Sequence, residues 1–600
     1  MEQLRNAAKK VHESRFFPLL VFGLLGLIAL SSLILNNTLI LSYDTIFHFN
    51  RFYDTAEQIR NGSYNYFQMN YGFLQTGRIV NALYGPVVAY IGGFILLISY
   101  NWIVFEIVIS MLVMLVAAFS MYWLCKVNGV SRDYSILMGS LYMIGSSVFL
   151  WVTTQQFTGV GAAVMPVFFI GITLMLQKLR IPVLGVSVGM AVLIQTHVVS
   201  SLIAFGAALP IIIVSLVLTK EKWKMIKDGL IAIVLTLALT FNVWGVMISI
   251  FRHNFLIPTF PETSMQLFTV SLHGESIQSV VKPMEILIFL YVIYYVITRW
   301  KKLNYVVRTL GCVAFGFLVL STNIVPWTRL QVEFPKLTTL VQFPKRFAVV
   351  PFILFFLLLG MILTNDKNAL TLKPLHYPSR AFTYAMLFFV FALNMELNFQ
   401  AINLGASQTI AMKQNNDSVI PVNHAFSYNK KYNRTYLQDL ESPNKSYLVN
   451  DILKTTPDYL PATEAVNEDN YASVHPYLNN HRQLIKHNFK IKGGYTKKVN
   501  KDGSLTVTWY NHHSKTRRFR VTVVKYSATK LVLNGKKIKP ARLSQVGAVT
   551  VKAKPGKNVL TVSYRTGLGM DIIFLVTTLS WVCVFGYVII RRFKNKKSNQ

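Results

Sequence analysis

The sequence predicts a mainly α-helical, polytopic membrane protein that carries a polar C-terminal α/β domain. Hydrophobic residues make up 53% of the 600-residue chain, charged residues make up 14%, and the mean hydropathy is +0.41. Many apolar runs are near 20 residues long, which is the length that a helix needs to cross a bilayer. A large soluble core does not require such runs. We therefore expect about twelve transmembrane helices.

The distribution of basic residues predicts the orientation of the chain. The formal net charge is +35, and much of it lies at the termini and in short loops between apolar runs, as the positive-inside rule describes. The N-terminal basic residues and the C-terminal run RRFKNKK (591–597) place both termini in the cytoplasm. The remaining positive charge lies in the polar region, where an anionic polymer or a lipid surface could meet it. Nucleic acid is not expected as a partner.

Three regions follow from these patterns. Residues 1–404 are predicted to form the transmembrane domain, with a first outer loop at 42–101. Residues 405–569 are predicted to be extracytoplasmic, and residues 570–600 to form a final transmembrane helix and a basic cytoplasmic tail. Alternating apolar and polar residues at about 488–566 predict a small antiparallel β-sandwich. Within it, Asn534-Gly535 indicates a two-residue hairpin.

Asp44 is the first candidate for chemistry. It follows directly after a long apolar segment, and a carboxylate at the exit of a membrane helix is costly unless it has a partner or a task. Such a carboxylate can act as a general base that takes a hydroxyl proton. The alternative is a helix-end carboxylate that is paired to His48 or Arg51.

The residues after Asp44 predict an amphipathic helix that lies along the membrane surface. His48 and Arg51 fall on one face of such a helix. Arg51 could bind a phosphate, and His48 could bond Asp44 or a sugar. The alternative is a local polar cluster at the interface. Asp54 and Glu57 continue the helix and are expected to be solvated.

Further cations precede an apolar helix on the predicted outer side. Arg346 is the strongest candidate because a guanidinium matches a phosphate with two parallel hydrogen bonds. Lys345 is its neighbour, and Arg329 is a second candidate. The alternative for these residues is snorkelling to lipid headgroups. His197 lies between two apolar helices and could bond a sugar hydroxyl or a phosphate, or it could be a satisfied polar group.

Several segments together resemble the bacterial YfhO-type membrane proteins. These are DTIFHFNRFYDTAEQIRNGSYNYF (44–67), NALYGPVVAYIGG (81–93), VPW (325–327), QFPKRF (342–347) and DYLP (458–461). The group resembles the GT-C glycosyltransferases, which have many helices and an acidic residue just after the first span. In this chain Asp44 matches that acid and Arg346 lies in QFPKRF. Lys345 stands where the signature has an aromatic residue, and the next outer loop lacks a second acidic residue.

The resemblance implies an extracytoplasmic glycosyltransferase. Its donor would be a polyprenyl-phosphate sugar, and its acceptor an envelope polymer such as a teichoic acid or another surface glycan. Membrane lipids are the other expected partners. We expect no metal ion and no other cofactor, with a divalent cation as an open alternative. The rival functions are a transporter or flippase for a lipid-linked glycan and a non-catalytic scaffold for envelope assembly.

Overall fold

A computed structural model describes most of the chain. The described residues are 2–42, 44–270, 281–366, 380–414, 425–427, 436–490 and 495–597. The predicted polar domain 405–569 therefore contains three stretches, 415–424, 428–435 and 491–494, that lie outside the described residues.

Long apolar helices dominate the first two thirds of the chain and its C-terminal end. Among the described residues, five helices are long and apolar enough to cross a membrane, and the number is seven if each of two helix pairs, bent by 41° and 70°, forms one span. These helices indicate a multi-pass membrane protein. The five are Trp102–Val127, Phe157–Lys178, Val198–Leu218, Pro344–Asn365 and Leu568–Lys594, and the bent pairs are Arg132–Met143 with Ser146–Thr154 and Lys222–Leu239 with Phe241–His253.

The predicted number of about twelve spans is higher than the five to seven candidate spans that helix length and apolar composition give among the described residues. Four of the predicted spans form apolar helices of 13 to 17 residues, which are shorter than the ~20 residues that span the hydrocarbon core. They are Phe17–Ala29, Val183–Thr196, Pro283–Thr298 and Tyr305–Ser321. Other helices in this part are Glu2–Glu13, Ser31–Leu35, Trp327–Glu333, Leu337–Leu340 and Arg380–Gln414.

The first loop contains a helix, a short hairpin and a second helix. The loop helix Thr45–Asn61 is followed by the paired strands Gln68–Met69 and Arg78–Ile79, and then by Pro86–Ile98. The loop helix is enclosed on most of its surface, unlike the surface helix that the sequence predicts. The helix Pro86–Ile98 packs against it, and Trp102 and Phe157 of the membrane part contact its aromatic face. Its polar residues are therefore buried together with its apolar ones.

Asp54 shows the consequence of this enclosure. It is fully buried rather than solvated, and its Oδ1 accepts hydrogen bonds from the backbone N–H groups of Tyr71 (2.8 Å) and Gly72 (3.1 Å). Burial raises the pKa of Asp54 to about 6, although these N–H donors oppose the shift. Asp54 thus fixes the turn of the loop to the loop helix.

The C-terminal part ends in two antiparallel sheets. Their cores meet at Trp509 and Phe519, whose rings stack at 5.4 Å. Asn534 and Gly535 have φ angles of 49° and 78° and connect two strands, which confirms the predicted hairpin. The five-stranded sheet has the order Lys536–Ile538, Thr529–Leu533, Gly556–Tyr564, Leu505–Asn511 and Thr496–Val499, and the three-stranded sheet has the order Arg542–Leu543, Ala548–Ala553 and Arg517–Val524.

Short helices and strands connect the membrane part to this sandwich. They are the helices Tyr436–Glu441, Ser446–Asp451, Tyr471–Val474, Pro476–Asn480 and Lys486–Lys490, and the strands Ala425–Ser427, Ile452–Lys454 and Pro461–Ala462. We call residues 452–462 the bridging segment. The strand Pro461–Ala462 pairs with Phe255–Leu256, so the bridging segment is held against the membrane part.

The sandwich is seated on the first loop through direct hydrogen bonds. The backbone N–H of Val524 donates to the carbonyl of Thr76 at 2.9 Å, and the Lys497 ammonium donates to the carbonyl of Leu74 at 2.7 Å. Asn70 Nδ2 donates to the carbonyl of Gly503 at 2.7 Å. The first loop therefore lies between the membrane helices and the sandwich.

Replacing Gly93 with alanine should destabilise the first loop. A Cβ atom at Gly93 would lie 2.1 Å from Thr55 Oγ1 and 2.8 Å from the backbone nitrogen of Ala56. Such overpacking costs about 1–3 kcal/mol of unfolding free energy. Thermal unfolding of the detergent-purified protein measures the effect. Gly23→Ala is the matched control, because nothing lies within 4 Å of its added Cβ and it gains the same helix propensity. Equal unfolding temperatures for the two variants would contradict the close packing.

Candidate functional site

Residues that the sequence singled out one by one lie together around Tyr84. The pKa of Tyr84 is raised to about 12, by burial most of all and also by Asp44 and Asp458, whereas Arg51 and Arg346 oppose the shift. The Tyr84 ring also lies 5.8 Å from the rings of both His48 and His197. We call this group the Tyr84 cluster: Asp44, His48, Arg51, Arg78, Tyr84, His197, Arg346, Lys454, Asp458 and Tyr459.

Asp44 lies at the start of the loop helix and remains accessible. Its side chain is 43% exposed, and its Oδ1 lies 3.7 Å from Lys454 Nζ in the bridging segment. The partner of Asp44 is therefore a lysine some 400 residues away in the sequence, and neither His48 nor Arg51. An accessible carboxylate in this position has the geometry that a general base requires.

Arg51 is a fully buried cation with neutral partners. Nε donates to Asn81 Oδ1 at 2.9 Å, Nη1 bonds His48 Nδ1 at 3.0 Å, and Nη2 donates to the carbonyls of Tyr84 and Gly85. The guanidinium also lies 4.7 Å from the Tyr84 ring and 4.8 Å from the Phe157 ring. Burial lowers the pKa of Arg51 to about 10, so it stays charged at neutral pH.

These bonds limit what Arg51 can do. A guanidinium has five N–H donors, and the four bonds leave one of them unused. Arg51 therefore contributes positive potential and a fixed position, and it is not arranged to hold a phosphate with two parallel hydrogen bonds.

His48 is held neutral by the same arrangement. Since Arg51 can only donate, His48 Nδ1 accepts, and the ring proton lies on Nε2. Burial first, and then Arg51 and Lys454, hold the pKa of His48 well below its ordinary value of 6.5. The ring packs 4.4 Å from that of Phe157. His48 thus presents a neutral imidazole whose Nε2–H is able to donate.

His197 joins the cluster from the junction of two apolar helices. It has an extended backbone between Val183–Thr196 and Val198–Leu218, as its position in the sequence predicts. Its Nδ1 lies 2.8 Å from Ser200 Oγ, and the side chain is buried.

Arg346 enters from a short turn before the helix Val349–Asn365. Nη1 donates to the carbonyl of Val341 at 2.7 Å, and Nη2 donates to Gln342 Oε1 at 3.3 Å. Its Nε is buried and has no hydrogen-bond partner among the described residues. Arg346 therefore has unused hydrogen-bond donors directly before an apolar helix.

Two predicted cations lie outside the Tyr84 cluster. The Lys345 ammonium lies 5.5 Å from the Phe343 ring and 5.9 Å from the Phe268 ring, and it interacts electrostatically with Glu262. The Arg329 side chain is 79% exposed and pairs with Glu333 at 2.8 Å. It lines an open groove of about 680 Å³. Their predicted role in substrate binding stays a prediction.

The bridging segment supplies two residues that sequence reasoning did not assign. Lys454 pairs with Asp44, and Asp458 lies four residues further along. Burial raises the pKa of Asp458 to about 6, although Arg78 and Lys454 oppose the shift. The backbone carbonyl of Asp458 accepts a hydrogen bond from Arg78 Nη2 at 2.5 Å. The sequence motif DYLP (458–461) marked this segment, but the motif did not indicate that the segment lies next to Asp44.

The charge of the Tyr84 cluster favours an anion. It contains four cations, Arg51, Arg78, Arg346 and Lys454, and two carboxylates, Asp44 and Asp458. Arg78 Nε, like Arg346 Nε, is buried without a hydrogen-bond partner among the described residues. Among the residues that the structure describes, no group of three or more His, Cys, Asp and Glu side chains is placed to hold a metal ion. The chemistry that this arrangement offers is a carboxylate base beside cations that can bind a phosphate.

Comparisons with known proteins give no family assignment. No family model and no curated protein matches the chain. The structure is similar to the crystal structure of the Archaeoglobus fulgidus oligosaccharyltransferase in the apo form, with a TM-score of 0.40 and 12% identity. The match covers 67% of this chain and 58% of that one, so this chain spans little more than half of that protein. A similarity of this degree assigns neither family nor activity, and the YfhO-type resemblance stays a prediction.

Replacing Arg51 with lysine should destabilise the protein although it keeps the charge. A single ammonium cannot reach the four acceptors that the guanidinium serves, so buried polar groups lose their partners. We expect a loss of about 2–4 kcal/mol of unfolding free energy. Thermal unfolding followed by tryptophan fluorescence measures it. Arg60→Lys, on the same helix but half-exposed, should change the stability by less than about 0.5 kcal/mol. A similar small effect for both variants would contradict the assigned role of Arg51.

Proposed function

We propose that this protein is an integral membrane glycosyltransferase of the GT-C type. It transfers a sugar from a polyprenyl-phosphate donor to an envelope polymer on the extracytoplasmic face, a teichoic acid or another surface glycan. The observation that supports this most is the placement of an accessible carboxylate, Asp44, in the same cluster as Arg346, a cation with unused donor capacity. The family resemblance supplies the donor and acceptor classes.

The proposed reaction assigns Asp44 as the general base. The acceptor hydroxyl attacks the anomeric carbon of the donor sugar and gives its proton to the Asp44 carboxylate. The bond between the anomeric carbon and the phosphate oxygen breaks, and the polyprenyl phosphate leaves with the electron pair. Positioned bases of this kind contribute about 10²–10⁴-fold to a rate.

The cations would stabilise the leaving phosphate. Arg346 is the residue proposed to contact it, because its Nε has no hydrogen-bond partner among the described residues and an apolar helix begins three residues later. Arg51 and Lys454 add positive potential without needing direct contact. The polyprenyl chain would then extend along the apolar helices, while the phosphate stays at the membrane edge.

The transporter or flippase is a second candidate that one observation favours. Broken helices are typical of transporters. The sequence alone did not indicate any broken helix, but in the structure two helix pairs are bent by 41° and 70°. At the first break the carbonyl of Ile144 accepts from Asn398 Nδ2 at 2.9 Å, and the N–H of Ser146 donates to Glu285 at 2.6 Å. These side chains form hydrogen bonds with the backbone groups that the break leaves without helical partners. The break is therefore also consistent with a permanent bend that does not move during function.

Asp44→Asn tests the proposed base. Membranes containing either form are supplied with radiolabelled polyprenyl-phosphate sugars and a cell-wall polymer fraction. We expect transfer to fall by at least about 100-fold at equal expression, because asparagine cannot accept the proton. Transfer that survives would remove Asp44 from the mechanism. Movement of labelled lipid across proteoliposome membranes that is unaffected by Asp44→Asn, without any transfer, would favour the flippase.

Arg346→Gln tests the phosphate contact. We expect transfer to fall by about 10²-fold, the loss that follows removal of one donor to a developing negative charge. Arg329→Gln removes the same charge from the exposed groove and should leave the rate unchanged. If instead Arg329→Gln abolishes transfer and Arg346→Gln does not, the donor binds in the groove and the assignment is wrong.

A further inference from the structure

The sandwich carries an extreme imbalance of charge that the proposed reaction does not use. Between residues 495 and 566 the sequence contains 17 lysines and arginines and a single acidic residue, Asp502. Asp502 is engaged locally, since its Oδ1 accepts from the N–H of Ser504 at 3.1 Å and from the hydroxyl of Ser504 at 2.6 Å. The positive charge of this domain is therefore not neutralised by acidic residues of its own.

The register of the three-stranded sheet gathers four of these cations on one face. Lys552 lies directly opposite Arg518, and Thr550 lies opposite both Arg520 and Arg542. Directly opposed residues share a face of an antiparallel sheet. The intervening Phe519 points to the other side, where it stacks on Trp509 in the sandwich core. We call the outward side, formed by Arg518, Arg520, Arg542 and Lys552, the basic face.

The basic face is open to solvent. Arg518, Arg542 and Lys552 are exposed, and Arg520 is partly buried. Neighbouring strands are about 4.8 Å apart and alternate residues along a strand about 6.7 Å apart. Lys552 and Arg518, and likewise Arg518 and Arg520, are therefore closer than the screening length of about 8 Å at physiological ionic strength and repel each other. Arg542 and Arg520 lie two strands, about 9.6 Å, apart and repel each other more weakly. Like charges directly opposite in a sheet are destabilising, and a bound polyanion would relieve that repulsion.

We propose that the basic face binds a polyanionic chain that carries repeated phosphodiester groups. This deepens the proposed function, on which it rests for the role of that chain as acceptor. An anionic lipid surface is the competing partner. Membrane-surface binding combines basic residues with apolar anchors such as Trp, Phe and Leu, whereas the outward residues of this face are Arg, Lys and Thr. The residue types therefore favour a soluble polymer.

The test measures binding of end-labelled long-chain inorganic polyphosphate to the full-length protein in phosphatidylcholine nanodiscs. One variant combines R518Q, R520Q, R542Q and K552Q. The control combines K530Q, K536Q, K537Q and K557Q, which removes the same charge from other exposed positions of the sandwich.

We expect the Kd to rise at least tenfold for the first variant and less than about threefold for the control. We also expect the wild-type affinity to fall steeply between 50 and 200 mM salt, by analogy with counterion release from nucleic acids. Equal unfolding temperatures establish that both variants fold, and if the combined variant does not fold, Lys552→Gln and Lys530→Gln are compared instead.

Three results would overturn the proposal. Equal weakening by both variants would mean that net charge alone attracts the polymer. An unchanged Kd in the first variant would place the binding site elsewhere. Flotation with phosphatidylglycerol vesicles that depends on the basic face, without binding of polyphosphate, would identify a lipid surface. Asp44→Asn should bind polyphosphate like wild type, because Asp44 lies outside the basic face. A wild-type protein that transfers sugar without binding polyphosphate would refute only this proposal. A wild-type protein that binds polyphosphate through the basic face without transferring any sugar would refute only the proposed function.

Discussion

The enclosed guanidinium of Arg51 is the interaction on which the candidate site depends. Removing an ion from water costs several kcal/mol even after relaxation, and no carboxylate among the described residues forms an ion pair with Arg51. Four hydrogen bonds and two aromatic faces offset that cost. These bonds tie the loop helix to residues 81–85 and fix the tautomer of His48. The positive potential of Arg51 also reaches Tyr84, where it opposes the rise in the pKa of the phenol.

The second constraint is the closure of the site by a distant segment. The Arg78 guanidinium holds the backbone of Asp458, and the Tyr526 hydroxyl donates to the carbonyl of Tyr459 while accepting from the N–H of Ile79. These bonds place Lys454 beside Asp44. The polar C-terminal region is thus part of the candidate site rather than a separate appendage, and its movement would alter the environment of Asp44.

Local sequence patterns predicted the helices, the antiparallel sandwich and its Asn534-Gly535 hairpin, because periodicity and turn chemistry act over a few residues. They also predicted that His48 and Arg51 share a face. The number of about twelve spans stays a prediction, because the described helices include five to seven candidate spans and several predicted spans form shorter apolar helices. The burial of Asp54, the pairing of Asp44 with Lys454 and the exposure of Arg329 depend on tertiary contacts between residues far apart in sequence, which no local pattern contains.

A structure determined by electron cryomicroscopy with polyprenyl phosphate bound would test the central claim most directly. The account predicts phosphate density within hydrogen-bonding distance of the Arg346 guanidinium, on the side of the Tyr84 cluster that faces Asp44, with the isoprenoid chain along the helix Val349–Asn365. Phosphate density in the groove beside Arg329, or at a position from which the sugar could not reach Asp44, would contradict it.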